Sequence, residues 1–137
     1  MSQRDKILKL RNSADPRPLV LPSLLLCDFG DLKTELCQLE QAGVEALHLD
    51  VMDGVFVPNL SYGLPVVKGI RDHTELPLDV HLMIAHPEQY LTQFSEAGAD
   101  LLTVHVEACD SAVDVVQEIR SLGMASGITL NPSTPIA

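Results

Sequence analysis

Basic residues are scarce in this sequence of 137 amino acids. Nine Lys and Arg residues stand against 19 Asp and Glu residues, and the formal net charge at pH 7 is -10. A chain with this excess of negative charge repels the phosphate backbone of nucleic acids and the anionic surface of membranes, so neither is expected as a partner. A small anionic substrate still fits, because a bound cation or a helix N-terminus supplies positive potential locally.

Cysteines and long apolar runs are also few. The three cysteines, Cys27, Cys37 and Cys109, are odd in number and widely spaced, which argues against a disulfide framework and favours a reducing, cytoplasmic setting. No stretch approaches the roughly 20 apolar residues that would span a bilayer. Residues 1–18 lack the apolar run of a signal peptide, and we expect them to form an N-terminal extension before a single domain over residues 19–137.

Short β-rich runs alternate with helical patterns along this domain, which predicts parallel βαβ units. The predicted strands are 19–25, 46–52, 78–84, 101–106 and 127–131, and the predicted helices are 31–42, one beginning near Pro65, one from Pro87 to Gly98, and 111–122. Residues 41–47 and 96–102 form a weak internal repeat that supports this pattern. The Gly-rich loop typical of dinucleotide binding is missing after the first strand. The alternation alone fits either a (β/α)8 barrel or a doubly wound sheet.

Three of the predicted strands carry a polar face opposite an aliphatic one, because successive side chains of a strand point to opposite sides. Strands of a doubly wound sheet are buried on both faces and usually consist of continuous apolar runs. The polar faces therefore favour a barrel with a site at the C-terminal ends of its strands. These faces consist of His48, Asp50 and Met52, then Asp79, His81 and Met83, and finally Thr103, His105 and Glu107.

Two imidazoles and one carboxylate converge from neighbouring strands in this arrangement. His48 and Asp50 lie two residues apart on one strand, and His81 lies on the next. This set of ligands suits zinc, iron, manganese or cobalt. The alternative is that each residue is simply a hydrogen-bonded member of the barrel interior.

Other residues near the strand ends have less specific interpretations. Met52 and Met83 are packing residues or, as secondary candidates for the site, a soft apolar wall beside a substrate. Ser23, near the end of the first strand, either donates to a substrate oxygen or caps the following turn. His105 and Glu107 are expected to be hydrogen-bonding residues of the barrel interior.

Several segments resemble the ribulose-phosphate 3-epimerases, and the resemblance covers residues 19–137. The matching segments occur in the same order and spacing, and the two that contain the polar strand faces are more specific together than either is alone. The segments are Leu21-Pro22-Ser23, His48-Leu49-Asp50-Val51-Met52-Asp53-Gly54, Val57-Pro58-Asn59, Leu78-Asp79-Val80-His81-Leu82-Met83, Val104-His105-x-Glu107 and Leu130-Asn131-Pro132-x-Thr134-Pro135.

The resemblance implies a (β/α)8 TIM barrel of the ribulose-phosphate-binding type, here truncated to about five strands and four helices. It implies one divalent metal ion (Zn, Fe, Mn or Co) held by His48, Asp50 and His81. Asp50 would also be the catalytic proton acceptor, and Ser23 and His81 would bind the substrate. The implied reaction interconverts D-ribulose 5-phosphate and D-xylulose 5-phosphate, in the pentose phosphate pathway, by removing and returning the proton at C3.

The family's fourth metal ligand, which is also its second acid, lies on the seventh strand, beyond the five strands predicted here. Its phosphate-binding turns follow the last strands. We therefore expect the chain to be a truncated product, a gene fragment or one portion of a longer protein that binds a sugar phosphate. Its open strand edges would pair in a homo-oligomer or with a complementing chain. The alternatives are another ketose-phosphate 3-epimerase, a non-catalytic metal-binding or assembly half-barrel, and a remnant without function.

Overall fold

Helices and strands alternate along the chain in the computed structural model, which describes residues 5, 7, 9, 10 and 18–136. The predicted extension over residues 1–18 lies almost entirely outside the described residues. Short 3-10 turns occur at Leu24–Leu26, Pro87–Gln89 and Val106–Ala108. The longer elements within 18–136 are α1 (Leu32–Gln41), β1 (Leu47–Met52), α2 (Leu64–Arg71), β2 (Leu78–Met83), α3 (Leu91–Ala97), β3 (Leu101–His105), α4 (Ala112–Ser121) and β4 (Ala125–Thr129).

The four strands form one parallel sheet in the order β1-β2-β3-β4. Each strand lies beside its predecessor in the chain, and a helix connects the two. A doubly wound sheet instead reverses its strand order at a switch point. The consecutive order is therefore that of a barrel wall, as the polar strand faces predicted.

A regular strand over residues 19–25 is not formed. Ser23 makes a single parallel bridge to His48, and Leu24–Leu26 is a 3-10 turn. The N–H of His48 donates to the carbonyl of Pro22 at 3.0 Å, but Pro22 has no N–H with which to extend a ladder. The segment thus lies beside β1, where a first strand is expected, with only one bridge.

Two further elements differ from the sequence prediction in their bounds. The last strand, predicted at 127–131, lies two residues earlier at Ala125–Thr129. The helix predicted from Pro87 is divided, with a 3-10 turn at Pro87–Gln89 and α3 beginning at Leu91. Tyr90 separates the two pieces with a φ of -125°, outside the helical range.

The core lies between the helices and the aliphatic faces of the strands. Burial alternates strictly along β1 and β2, so one face of each strand is fully buried and the polar face is half-buried. Burial of each aliphatic side chain contributes about 1.5–3 kcal/mol. The same alternation leaves the polar side chains together on the opposite face of the sheet. The buried strand residues include Leu47, Leu49, Val51, Leu78, Val80, Leu82, Leu102 and Val104.

Gly98 and Gly123 end α3 and α4 with φ values of 100° and 88°, in the left-handed region. A Cβ on Gly98 would lie 2.4 Å from Cγ and Cδ of Arg71, whereas Gly123 has nothing within 4 Å. We expect Gly123→Ala to cost about 1–2 kcal/mol of stability from backbone strain. Gly98→Ala should cost clearly more, because Arg71 must also move. Urea unfolding of both variants checks this, and equal losses would contradict it.

Candidate metal centre

His48, Asp50 and His81 lie together on the polar face of the sheet. His48 and Asp50 point the same way from β1, and His81 is the direct partner of Asp50 in β2. Asp50 Oδ1 lies 3.2 Å from His48 Nε2 and 3.3 Å from His81 Nδ1, and the three ligand atoms are all within 4.8 Å of one another. The structure therefore brings the three predicted ligands to one point.

These distances fit a divalent cation. Tetrahedral bonds of about 2.0–2.2 Å from zinc to nitrogen and oxygen place neighbouring ligand atoms about 3.3–3.6 Å apart. The observed separations are close to this range, whereas a strong hydrogen bond to a carboxylate is usually about 2.7–2.9 Å. The donor set is also chemically suitable, with two imidazoles and one carboxylate, all half-buried. The group thus fits the ligand set of a divalent metal ion.

Ser23 holds the second oxygen of Asp50. Its hydroxyl donates to Asp50 Oδ2 at 2.6 Å and accepts from the N–H of Leu25 at 3.2 Å. The bridge between Ser23 and His48 places this serine beside β1. Ser23 therefore orients the carboxylate so that Oδ1 faces the two imidazoles. Its predicted contact with a substrate stays a prediction.

Ser61 and Tyr62 support Asp50 from the loop before α2, and the sequence analysis missed both. The Ser61 hydroxyl donates to the carbonyl of Asp50 at 2.6 Å and accepts from the N–H of Met52 at 2.9 Å. The N–H of Asp50 donates to the Tyr62 hydroxyl oxygen at 3.1 Å. Burial raises the pKa of Tyr62 well above its ordinary value, so the phenol stays protonated.

The two imidazoles have different environments. The ring of His48 contacts Asp79 through Nδ1 at 2.8 Å, and this hydrogen bond raises the pKa of His48. His81 Nε2 lies 2.9 Å from His105 Nε2, and burial followed by the charge of His105 lowers the pKa of His81. The pKa values of the two imidazoles are therefore shifted in opposite directions.

Met52 and Met83 are direct partners across β1 and β2, at the ends of the same half-buried face. Met52 Sδ accepts from the side chain of Asn59 at 3.5 Å. This position, one step beyond Asp50 and His81, is suitable for an apolar wall beside a bound molecule. Their role as secondary site residues stays a prediction.

Asp53 ties together the loops that follow β1 and β2. Its carboxylate accepts from the N–H groups of Val55 and Phe56, each at 2.9 Å, and from Ala85 at 2.8 Å. Burial acts to raise the pKa of Asp53, but the three N–H donors outweigh it and lower the pKa. Asp53 therefore has a structural explanation within the motif that follows β1.

His105 is the last residue of β3, and Glu107 lies in the 3-10 turn Val106–Ala108 that follows it. His105 is buried and stacks on His81, with ring centroids 5.0 Å apart and planes at 16°. Glu107 accepts from the N–H of Asn131 at 2.7 Å and from the hydroxyl of Thr134. His105 thus contacts the candidate metal centre, whereas Glu107 binds the segment after β4.

The Glu107 contact is expected to weaken in acid. The hydrogen bond from Thr134 lowers the pKa of Glu107 to about 2, against an ordinary value of 4.5. A carboxylate whose folded pKa is depressed contributes stability above pH 4.5, and that stability is lost as the pH falls toward 2. The difference in urea midpoint between the unmodified chain and Glu107→Gln should therefore narrow as the pH falls from about 5 to about 2. A difference that stays constant over this range would contradict the contact.

A parallel sheet with consecutive strand order, helical crossovers and a polar centre on its inner face defines the (β/α)-barrel class. Solved structures agree on the fold. Tryptophan synthase subunit alpha from Legionella pneumophila superposes with a TM-score of 0.60 at 21% identity, over 92% of this chain and 57% of that one. A mandelate oxidase mutant superposes with a TM-score of 0.57 at 18% identity, over 81% of this chain and 42% of that one.

The model of the ribulose-phosphate 3 epimerase family matches residues 19–137, and the chain belongs to that family. Ribulose-phosphate 3-epimerase of Bacillus subtilis is 47% identical over 117 residues, which is 85% of this chain and 54% of that protein. The Treponema pallidum protein of the same name is 50% identical over 116 residues, with 85% and 53% covered. The chain thus spans about half the length of these curated relatives. The predicted family and fold class are confirmed.

Two observations concern the chain's setting. None of the helices in the described part of the chain is long and apolar enough to cross a membrane. Cys27, Cys37 and Cys109 are free thiols. Burial raises the pKa values of Cys27 and Cys109, so both are less reactive than an ordinary thiol at neutral pH. The cytoplasmic location stays a prediction.

Proposed function

We propose that this chain supplies the metal-binding and proton-accepting part of a ribulose-phosphate 3-epimerase site, which interconverts D-ribulose 5-phosphate and D-xylulose 5-phosphate. The observation that carries the proposal is the position of Asp50 Oδ1 between His48 Nε2 and His81 Nδ1. The names of the relatives supply the substrate and the reaction. A sugar phosphate is thus the proposed small-molecule partner.

His48, Asp50 and His81 hold one divalent cation in this proposal. Zinc, iron, manganese and cobalt all accept two imidazoles and a carboxylate, and availability selects among them. When bound, the cation supplies positive charge that stabilises the negative charge on the oxygens of the substrate enediolate. His81 also faces the substrate, and Met52 and Met83 form the adjacent apolar wall.

Asp50 accepts the proton from C3, which is acidic because it neighbours the C2 carbonyl. The carboxylate has two oxygens with different surroundings. Oδ1 faces the imidazoles, and Oδ2 accepts from Ser23. Oδ2 is therefore the proposed proton acceptor, and the Ser23 hydroxyl turns from it to an oxygen of the substrate. This assignment gives Ser23 its substrate contact.

Inversion at C3 also needs an acid on the opposite face of the planar intermediate. We propose that the half of the family's barrel that this chain does not match provides it, either within a longer chain or from a complementing chain. Residues 19–137 would then be one part of the barrel, preceded by the extension over residues 1–18. In the described part of the chain β4 pairs only with β3, so its other edge can accept a further strand.

Proton exchange in heavy water tests the proposal directly. The purified chain is incubated with ribulose 5-phosphate and a divalent cation, and the C3 proton is followed by NMR, with a chelator-treated sample as control. Deuterium at C3 with the original configuration retained is the expected result, because the chain supplies the base but not the second acid. Formation of xylulose 5-phosphate would show that a residue of this chain or of its assembly supplies that acid.

Two other outcomes separate the alternatives. A parallel incubation with a hexulose 6-phosphate tests for another ketose-phosphate 3-epimerase, which would exchange the C3 proton of the hexulose faster than that of ribulose 5-phosphate. No exchange from a folded, metal-loaded sample contradicts the proposed activity of this chain. If that sample also self-associates on size-exclusion chromatography only when metal is present, a metal-binding assembly module replaces the enzyme as the best function.

A further inference from the structure

His48 and Asp79 are direct partners across β1 and β2, and both lie on the polar face of the sheet. His48 Nδ1 is 2.8 Å from Asp79 Oδ2, the shortest contact that this imidazole makes with a carboxylate. Neighbouring strands are about 4.8 Å apart, so the backbone itself brings the two side chains together. The contact is therefore fixed by strand register rather than by a mobile loop.

The contact also determines how the imidazole is used. An ionised carboxylate only accepts hydrogen bonds, so Nδ1 of His48 must carry the proton in this pair. In the neutral ring Nε2 then has the free lone pair. Nε2 is the atom that lies 3.2 Å from Asp50 Oδ1, on the side of the candidate metal centre. Asp79 thus selects the tautomer that can bind a cation there.

Within the residues that the structure describes, His81 has no such carboxylate on the side of its ring that faces away from Asp50. Its Nε2 faces His105 Nε2 at 2.9 Å, and either imidazole can be the donor of that pair. His105 Nδ1 lies 3.6 Å from Glu107 Oε2, which is too long for a hydrogen bond that would fix the direction. The two histidines therefore differ at the ring nitrogen that faces away from Asp50, which contacts a carboxylate in His48 and an imidazole in His81.

Asp79 is largely buried, with 16% of its side chain exposed. Its Oδ1 makes no hydrogen bond to the described residues. Among the described residues, His48 therefore holds this carboxylate through its hydrogen bond to Oδ2. Burial of a carboxylate with so few hydrogen bonds is costly, and the pair with His48 offsets part of that cost.

We propose that Asp79 is a positioning residue of the metal centre, whose carboxylate holds the Nδ1 proton of His48 and so presents Nε2 to a divalent cation. This inference rests on the proposed function only because it assumes the divalent cation of that proposal. Carboxylates that act on a metal through a histidine typically change metal affinity by about 10–100-fold when they are replaced.

Cation binding and the His48 tautomer are the two measurements that test this role. Asp79→Leu removes the acceptor, and Asp79→Asn keeps an oxygen that can accept from Nδ1 but removes the charge. Calorimetric titration with Zn²⁺ should give the affinity order unmodified chain, then Asp79→Asn, then Asp79→Leu, with the last weaker by about 10–100-fold. Long-range ¹H–¹⁵N NMR of the metal-free protein should show His48 protonated on Nδ1 in the unmodified chain and shifted toward Nε2 in Asp79→Leu.

Two controls show which residues are responsible for the measured Zn²⁺ binding. His48→Ala should abolish it, which identifies the site. Asp110→Asn should leave it unchanged, which excludes binding at the second group of ligand-type side chains, His86, Glu88 and Asp110. Asp79→Asn, the closer match in shape, supplies the comparison if Asp79→Leu does not fold.

The test of the role of Asp79 can succeed or fail independently of the test of proton exchange at C3. Unchanged Zn²⁺ affinity and an unchanged His48 tautomer in a folded Asp79 variant would overturn the inference, even if the unmodified chain exchanges the C3 proton. Weaker binding with the tautomer shift would support it, even if no exchange at C3 is found. Weaker binding with an unchanged tautomer would also overturn it, because the effect would then be structural.

Discussion

Asp50→Asn is expected to abolish deuterium exchange at C3 and to weaken binding of the divalent cation. The carboxamide has no negative charge and only one acceptor oxygen, whereas Asp50 Oδ1 lies within 3.3 Å of both imidazoles and Oδ2 accepts from Ser23. Removal of a general base typically costs about 10²–10⁴-fold in rate. The loss of a charged ligand adds to this, so we expect no measurable exchange.

Two measurements are needed, because Asp50 has two proposed roles. Calorimetric titration with Zn²⁺ reports the ligand role without any turnover, and NMR in heavy water reports the base role. Asp31→Asn is the matched control, since Asp31 is exposed and its side chain makes no capping hydrogen bond to α1. Exchange at the unmodified rate in folded, metal-loaded Asp50→Asn would disprove the base role, and unchanged Zn²⁺ affinity would disprove the ligand role.

The residues of the candidate metal centre could be predicted from the sequence more completely than the residues that support them. Alternation along a strand is local, so periodicity alone places His48 and Asp50 on one face. The meeting of Asp50 with His81 depends on strand register, which periodicity does not determine and which the structure supplies. Ser61 and Tyr62 lie in a loop without any periodic pattern, so their contacts with Asp50 could not be foreseen.

The first strand shows the same limit in the fold. An apolar run at residues 19–25 predicts a strand, yet a ladder also needs N–H donors and neighbours on both sides. Pro22 has no N–H, and only one bridge, at Ser23, joins this segment to β1. Propensity therefore predicted the location of the segment beside β1 and overestimated its regularity.

The internal repeat also conceals a difference in environment. Glu45 and Asp100 occupy equivalent positions of the two similar segments, before β1 and β3, yet Glu45 is exposed and Asp100 is fully buried. β3 lies between β2 and β4, whereas β1 has a full strand on one side and the Ser23 bridge on the other. Burial at these positions depends on non-local neighbours, which a repeat in the sequence does not reveal.

Asp100→Ala is expected to have the largest effect on stability. The Asp100 carboxylate is 1% exposed, lies 3.1 Å from Arg71 Nη1 and accepts from the N–H of Leu78 at 2.9 Å. Its own N–H donates to the carbonyl of Leu78, and its carbonyl accepts from Ala125, so this residue joins the beginnings of three strands. Removal of one partner of a buried ion pair costs about 3–5 kcal/mol. That is a large share of the 5–15 kcal/mol typical of a domain.

The ion pair between Lys68 and Asp72, near the same end of α2, provides the matched control. Both side chains are about half exposed, at 54% and 53%, so Asp72→Ala should cost only about 0.3–0.5 kcal/mol. The double variant Arg71→Met, Asp100→Leu should recover part of the loss, because it leaves no unpaired buried charge. Urea unfolding of the three variants shows whether the loss of stability depends on the burial of the ion pair or only on the number of charges removed. Equal losses for Asp72→Ala and Asp100→Ala would show that burial of the Arg71 pair does not determine its contribution.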